Sequence, residues 1–275
     1  AGLDLRADSE GDSAMYVQAI GTICLCEAAA LADSTIKAAG KGTRRIGNKS
    51  RKQAVAEARE LRQAAQAALR FILNAQNRSG GWRYGPEVTD GDTSIVGWQV
   101  MALASGGSAG FPIPAQTQVG VRRFLMSMTP DGGATYGYDR PTTKASTTAV
   151  GLLSQMYLGW NRETPALARG VAYLSRRGPQ RNDMYYNYYA TQVMHHWGGE
   201  EWKLWNEKMR EQLIFTQVKS GHGAGSWNIA DHHASHGGRL YMTCLATMTL
   251  EVYYRHLPLY DHIERIATTV DSPGM

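Results

Sequence analysis

Phe71-Ile72-Leu73-Asn74-Ala75-Gln76-Asn77-Arg78-Ser79-Gly80-Gly81-Trp82 is the stretch that decides the fold. An aromatic–aliphatic pair closes an amphipathic helix, Gln76 follows, and Gly80-Gly81-Trp82 turns the chain inward. Weaker copies run from Phe124-Leu125 to Gly132-Gly133, and from Leu213-Ile214 with Gln217 to Gly225-Ser226-Trp227. A motif that recurs at the ends of helices marks a repeat architecture before any single residue is interpreted.

Working outward, helical periodicity dominates and strand signals are nearly absent. The spacing predicts helices near 13–33, 51–75, 93–105, 114–128, 145–158, 164–176, 184–197, 201–217 and 239–256. Two classes alternate. The segments 51–75, 114–128, 164–176 and 201–217 carry charged faces, as outer helices do. The others hold almost no charge and many small residues, so they are expected to be walled in. Gly97 and Gly151 fall in register 54 residues apart, with Ala190 and Ala246 in similar places. A helix-interior Gly costs about 1 kcal/mol relative to Ala, and close approach of neighbouring inner helices is the expected compensation. The expected fold is all-α: an α/α toroid, or partial (α/α)6 barrel, of helical hairpins with inner and outer helices. It spans 13–257 between an N-terminal tail, 1–12, and a C-terminal tail, 258–275.

The bulk properties narrow the function classes. The chain has 275 residues, a hydrophobic share of 43% and a mean hydropathy of -0.37. No run approaches the roughly 18 apolar residues of a membrane span, so no transmembrane segment is expected. The net charge of +5 is concentrated in Lys37, Lys41, Arg44, Arg45, Lys49, Arg51 and Lys52. No aromatic residues interleave there to stack on bases. The stretch 37–52 therefore reads as a solvated inter-helix loop, with no nucleic-acid partner. Cys24, Cys26 and Cys244 are too few for a disulfide framework and read as small buried residues. Cys24 and Cys26, two apart on a helix, point in different directions.

The Gln76…Gly80-Gly81-Trp82 pattern resembles the QW repeat of squalene-hopene cyclases. With the alternating helices it is similar to the wider terpenoid cyclase and protein prenyltransferase superfamily. The likeness is nearest to bacterial proteins with squalene-cyclase-like repeats, through Gly91-Asp92-Thr93-Ser94…Gly97-Trp98-Gln99-Val100-Met101 and Leu250-Glu251-Val252-Tyr253-Tyr254-Arg255. Repeat motifs specify architecture strongly and chemistry weakly.

The resemblance implies tests of chemistry. A cationic cyclase protonates an alkene with the third-position Asp of an Asp-x-Asp-Asp motif set before an inner helix, and that carboxyl must stay protonated and dry. The corresponding stretch is Thr89-Asp90-Gly91-Asp92, so the acid position holds Gly91. Asp90 and Asp92 are the candidate catalytic carboxylates, with helix capping the alternative role for Asp92. A prenyltransferase holds zinc through Asp-x-Cys and a later His. Here Asp92 stands for the Cys and Met242 for the His, leaving one ligand of three. The richest imidazole cluster, His232, His233 and His236 after Asp231, is a weaker metal candidate in a Gly-rich loop. No metal is expected. No phosphate loop or dinucleotide fingerprint occurs, so no cofactor is implied either.

Tyr outnumbers Phe by 14 to 4, with 7 Trp besides, a balance that favours wet or ligand-facing positions over a plain core. Tyr16, Trp98, Tyr185, Tyr188 and Tyr241 are the expected lining of a ligand cavity. The reading is therefore a cyclase-like repeat domain without the family's chemistry. It is expected to bind an isoprenoid or other extended apolar ligand, or a protein segment, in its central cavity. An active cyclase using Asp90 or Asp92, and a carbohydrate-active α/α-toroid enzyme, are the alternatives.

Overall fold

A computed structural model describes residues 2–6, 13–228, 231 and 234–252, with the side chain of residue 236 excluded. The described residues form nine helices and one two-stranded hairpin, so the chain is all-α. Two compact units divide it, Ala1–Ser127 and Met128–Met275.

The first unit holds α1 (Ala14–Ala38), β1 (Arg45–Ile46), β2 (Lys49–Ser50), α2 (Arg51–Asn74), α3 (Thr93–Ser108) and α4 (Ala115–Ser127). α1 packs along both α2 and α3, and α4 lies against α3. α2 starts at Arg51 because Ser50 and Gln53 form a capping box: the Gln53 N–H donates to the Ser50 hydroxyl at 3.3 Å, and the Ser50 N–H donates to the Gln53 side chain at 3.0 Å. All of Thr93 to Leu103 on α3 is buried, as its lack of charge requires.

The second unit holds α5 (Ala145–Tyr157), α6 (Pro165–Arg177), α7 (Met184–Trp197), α8 (Gly199–Thr216) and α9 (Ala234–Leu250). α7 packs on α5 and α9, while α6 and α8 lie outside it. Apolar odd-numbered helices thus contact one another within each unit, and charged even-numbered helices cover them. α9 breaks at Gly238, φ 62°, so its regular part begins where the sequence pattern begins.

Four expectations need correction. α1 has the length and composition of a membrane-crossing helix, with a mean hydropathy of 1.5 over 18 residues. One side of it packs within the first unit, with Gln18 and Thr22 fully buried, while Val17, Ile20 and Leu31 on the other side are exposed, so it is not walled in as its lack of charge led one to expect. The stretch 37–52 is exposed but not all loop, since it closes into the β1–β2 hairpin across Gly47. Cys26 alone is buried, whereas Cys24 and Cys244 are exposed. Finally, Gly151 makes room for the Tyr136 ring, 2.4 Å from where its Cβ would sit, rather than for a neighbouring helix.

Candidate functional site

The repeat motif builds the junction where the candidate carboxylates sit. The Gln76 amide donates to the Gly80 carbonyl at 2.8 Å and to Thr117, on α4, at 3.0 Å. Gly80 turns there with φ 92°, and a Cβ on it would lie 2.1 Å from the Gly120 carbonyl oxygen, so only glycine fits. The Trp82 indole then donates to Ile72 at 2.8 Å, and Asp92 N–H donates to the Trp82 carbonyl at 3.1 Å. The copy at 213–227 repeats this wiring. Gln217 donates to Gly225 at 3.0 Å and the Trp227 indole to Leu213 at 2.8 Å. Tyr136 takes the aromatic place in the middle copy. Its N–H meets the Thr148 hydroxyl at 3.0 Å, as that of Trp227 meets Thr243 at 3.2 Å. Thr148 and Thr243 stand three residues before Gly151 and Ala246, so the register read from the small residues is a register of hydrogen bonds too.

At this junction Asp92 is fully buried and caps α3, its carboxylate accepting the Ile95 N–H at 2.8 Å. That is the capping role. Asp90 is at the surface, its side chain 64% exposed and paired with Arg83. A wet, ion-paired carboxylate lacks the dry setting that an alkene-protonating acid needs. Gly91, between them, has no room for a side chain: a Cβ would lie 2.7 Å from the Phe124 ring and 3.3 Å from the Gly81 Cα.

In the second unit Met242 is fully buried. His232 and His233 lie outside the described residues, as does the side chain of His236. Among the described residues no group of three or more His, Cys, Asp and Glu is placed to hold a metal ion. Asp231 instead joins Asp183 at the start of α7. Asp231 accepts the Met184 N–H and Asp183 the Tyr186 N–H, each at 2.9 Å, satisfying helix-terminal donors. Burial, then the charges of Asp231 and Asp183, pushes the Tyr241 hydroxyl above its ordinary range.

The expected cavity-lining aromatics are mostly packed. The Tyr16 hydroxyl, half-buried, pairs with the Ser94 hydroxyl at 2.8 Å and ties α1 to α3. Trp98 is buried on α3. Tyr185 and Tyr188 are 7% and 2% exposed, their rings 5.0 and 5.2 Å from that of Tyr189. Tyr241 is half-buried. His195 and His196 pack edge-on against Trp202 and Tyr157. Sequence reasoning passed over the amides of the inner helices. Gln99 reaches from α3 to the Met15 carbonyl at 2.8 Å, and Gln192 back to Tyr188 at 3.3 Å. The side-chain oxygens of Gln99 and Gln192 are both buried without a protein donor. An apolar stretch interrupted by single Gln residues is the signal that marks them.

An open groove of about 550 Å³ lies elsewhere in the first unit, between α1, α2 and the turn after α3. Ile36, Val55 and Phe111 supply its apolar surface and Arg59 and Arg62 its charge. Arg62 donates to Asp33 at 2.8 Å and to the Ala109 carbonyl at 3.2 Å, and stands 4.5 Å above the Phe111 ring. None of the expected site residues lines this groove. The Arg62 cation is engaged by a carboxylate, a carbonyl and a ring, which makes it a brace for the α1–α2 contact. Compared with family models, curated proteins and solved structures, the chain matches none.

Proposed function

We infer that this chain is a squalene-cyclase- or prenyltransferase-like repeat domain that binds without performing the chemistry of that resemblance. In this reading the helical hairpins form an α/α toroid, and its hollow takes an isoprenoid, another extended apolar ligand or a protein segment. One observation carries the loss of chemistry: the acid position, Gly91, is closed by the Phe124 ring. The adjoining carboxylates support it, since Asp92 is committed to capping α3 and Asp90 is ion-paired at the surface. For the zinc reaction, Met242 is buried and offers a neutral thioether where zinc sites use Cys, His or a carboxylate.

The test is incubation of the purified chain with squalene, and separately with farnesyl diphosphate and a cysteine-containing peptide. No cyclised or prenylated product is expected, while farnesol or geranylgeraniol is expected to quench the intrinsic Trp emission saturably. Product that disappears in Asp90→Asn or Asp92→Asn overturns the reading. So does the absence of saturable binding by isoprenoid alcohols and by extended apolar peptides alike.

A further inference from the structure

We propose that the groove between α1, α2 and the turn after α3 binds a carboxylate at the end of an apolar chain, as in a medium-chain fatty acid. None of the residues expected to line the central hollow borders this groove, so the two sites are independent. Ala58 and Phe111, 4% and 8% exposed, are the buried part of its lining. Val55 and Pro112 are exposed and Ile36 is half-buried. Three elements thus offer apolar surface to one space of about 550 Å³, a volume typical of small-molecule sites.

Charge selects the ligand. The charged groups of the lining are Arg59, Arg62 and Asp33. Arg62 is matched in place by Asp33, at 2.8 Å, and by the Ala109 carbonyl and the Phe111 ring. Arg59 is exposed and has no hydrogen bond or ion pair among the described residues. The groove therefore holds one unmatched positive charge beside apolar surface. A guanidinium presents two parallel N–H donors that suit the two oxygens of a carboxylate. A phosphate monoester suits it less, because its charge of about −1.5 to −2 exceeds that of one guanidinium, and Asp33 lines the same groove. Val55 and Arg59 are four apart on α2 and so share a face, which lets a chain anchored at Arg59 lie over Val55 toward Ile36. Beyond these two residues lies the stretch 37–52, with seven Lys and Arg and no Asp or Glu. Its field favours the approach of an anion from that end.

Isothermal titration of the full chain with decanoate tests this. Saturable binding with a Kd of about 0.1–1 mM is expected, since an open groove covers less of a ligand than a closed pocket. Arg59→Met keeps helix propensity and should weaken decanoate at least about tenfold. Val55→Gln keeps the charge, removes apolar wall and should weaken it about three- to tenfold. Both positions are exposed, so both variants should fold, as circular dichroism can verify. Acetate, a head without a chain, and decylammonium, a chain with the opposite charge, should not saturate. Arg59→Met should leave the farnesol-induced quenching of Trp emission unchanged, which separates this site from the hollow. Absence of saturable decanoate binding up to about 5 mM overturns the proposal. So does binding indifferent to Arg59→Met and Val55→Gln, or decylammonium binding as tightly as decanoate. Tighter binding of decyl phosphate would overturn the matching of one charge to one carboxylate. Tighter binding of an acetylated leucine tripeptide acid would assign the groove to a peptide terminus instead.

Discussion

The indole N–H of Trp82 donates to the carbonyl oxygen of Ile72 at 2.8 Å, inside the protein and near the last turn of α2. The last carbonyls of a helix have no partner within it. Here Phe71 is met by the Ala75 N–H and Leu73 by the Gln76 N–H, which leaves Ile72 to the indole. At the other end of the chain Trp227 donates to Leu213 at 2.8 Å, but that oxygen also accepts the Gln217 N–H at 3.1 Å. The two motif tryptophans are therefore alike in geometry and unequal in consequence. Trp82→Phe strands a buried acceptor and should cost about 1–3 kcal/mol. Trp227→Phe leaves its carbonyl bonded and should cost less than about 1 kcal/mol by the same measure. Urea unfolding of both variants checks the order, and equal losses would contradict it.

Restoring the acid of the resemblance should fail for a steric reason. Gly91→Asp places a Cβ 2.7 Å from the Phe124 ring, and overpacking of this kind costs about 1–3 kcal/mol. The smaller Gly91→Ala meets the same atoms and isolates the clash from the charge. In a Phe124→Leu background the cost of Gly91→Ala should shrink, giving a coupling of about 1 kcal/mol. Additive losses in a double-mutant cycle would mean that the ring is not what excludes a side chain there.

α3, α5 and α7 could be read in the sequence because burial on most sides removes charge, and outer helices keep it on one face. α7 falls on its expected bounds, 184–197. α1 runs to Ala38, beyond its expected end at 33, although Asp, Ser and Thr are weak helix formers. Ser34 and Thr35 turn their hydroxyls back to the Leu31 carbonyl, at 2.9 and 2.8 Å, so the helix continues with its polar groups satisfied. The junction at Asp90–Asp92 was legible as a cap because capping is local. The Arg62–Phe111 stack and the Gly91–Phe124 contact were not, since each joins residues that no local pattern connects. Tyr185 and Tyr188 show a further limit: composition marks a Tyr as amphipathic without saying whether another Tyr covers it.

The thiols should separate by position on one helix. Burial pushes the Cys26 thiol up to about 12, with the nearby charge of Glu27 adding to it. Reaction with maleimide requires the thiolate, so Cys26 should stay unlabelled in the folded chain from pH 7 to pH 9. Cys24 and Cys244 are exposed and should label. Mass spectrometry should therefore find two adducts in the native chain and three after denaturation. Labelling of Cys26 at the rate of Cys24 would show that α1 is not held against α2 and α3.

The turn after α4 should give stability that acid removes. Burial raises the Asp131 pKa, but hydrogen bonds from the backbone and hydroxyl of Thr135, the Thr129 hydroxyl and the Ala134 N–H outweigh it and hold the carboxyl below its usual range. These bonds run from 2.8 to 3.0 Å. A carboxyl that is more acidic in the folded chain stabilises it fully above the unfolded value, near 3.9. That contribution is lost as pH falls through the lower folded value. The side chain is exposed, so the stabilisation should stay below about 1 kcal/mol after solvent screening. Asp131→Asn keeps an acceptor for the turn and removes the titration. The stability difference between the two chains should thus be constant at neutral pH and should narrow below about pH 4. A gap that widens on acidification would reverse the sign of the effect and place the Asp131 carboxyl above its ordinary range.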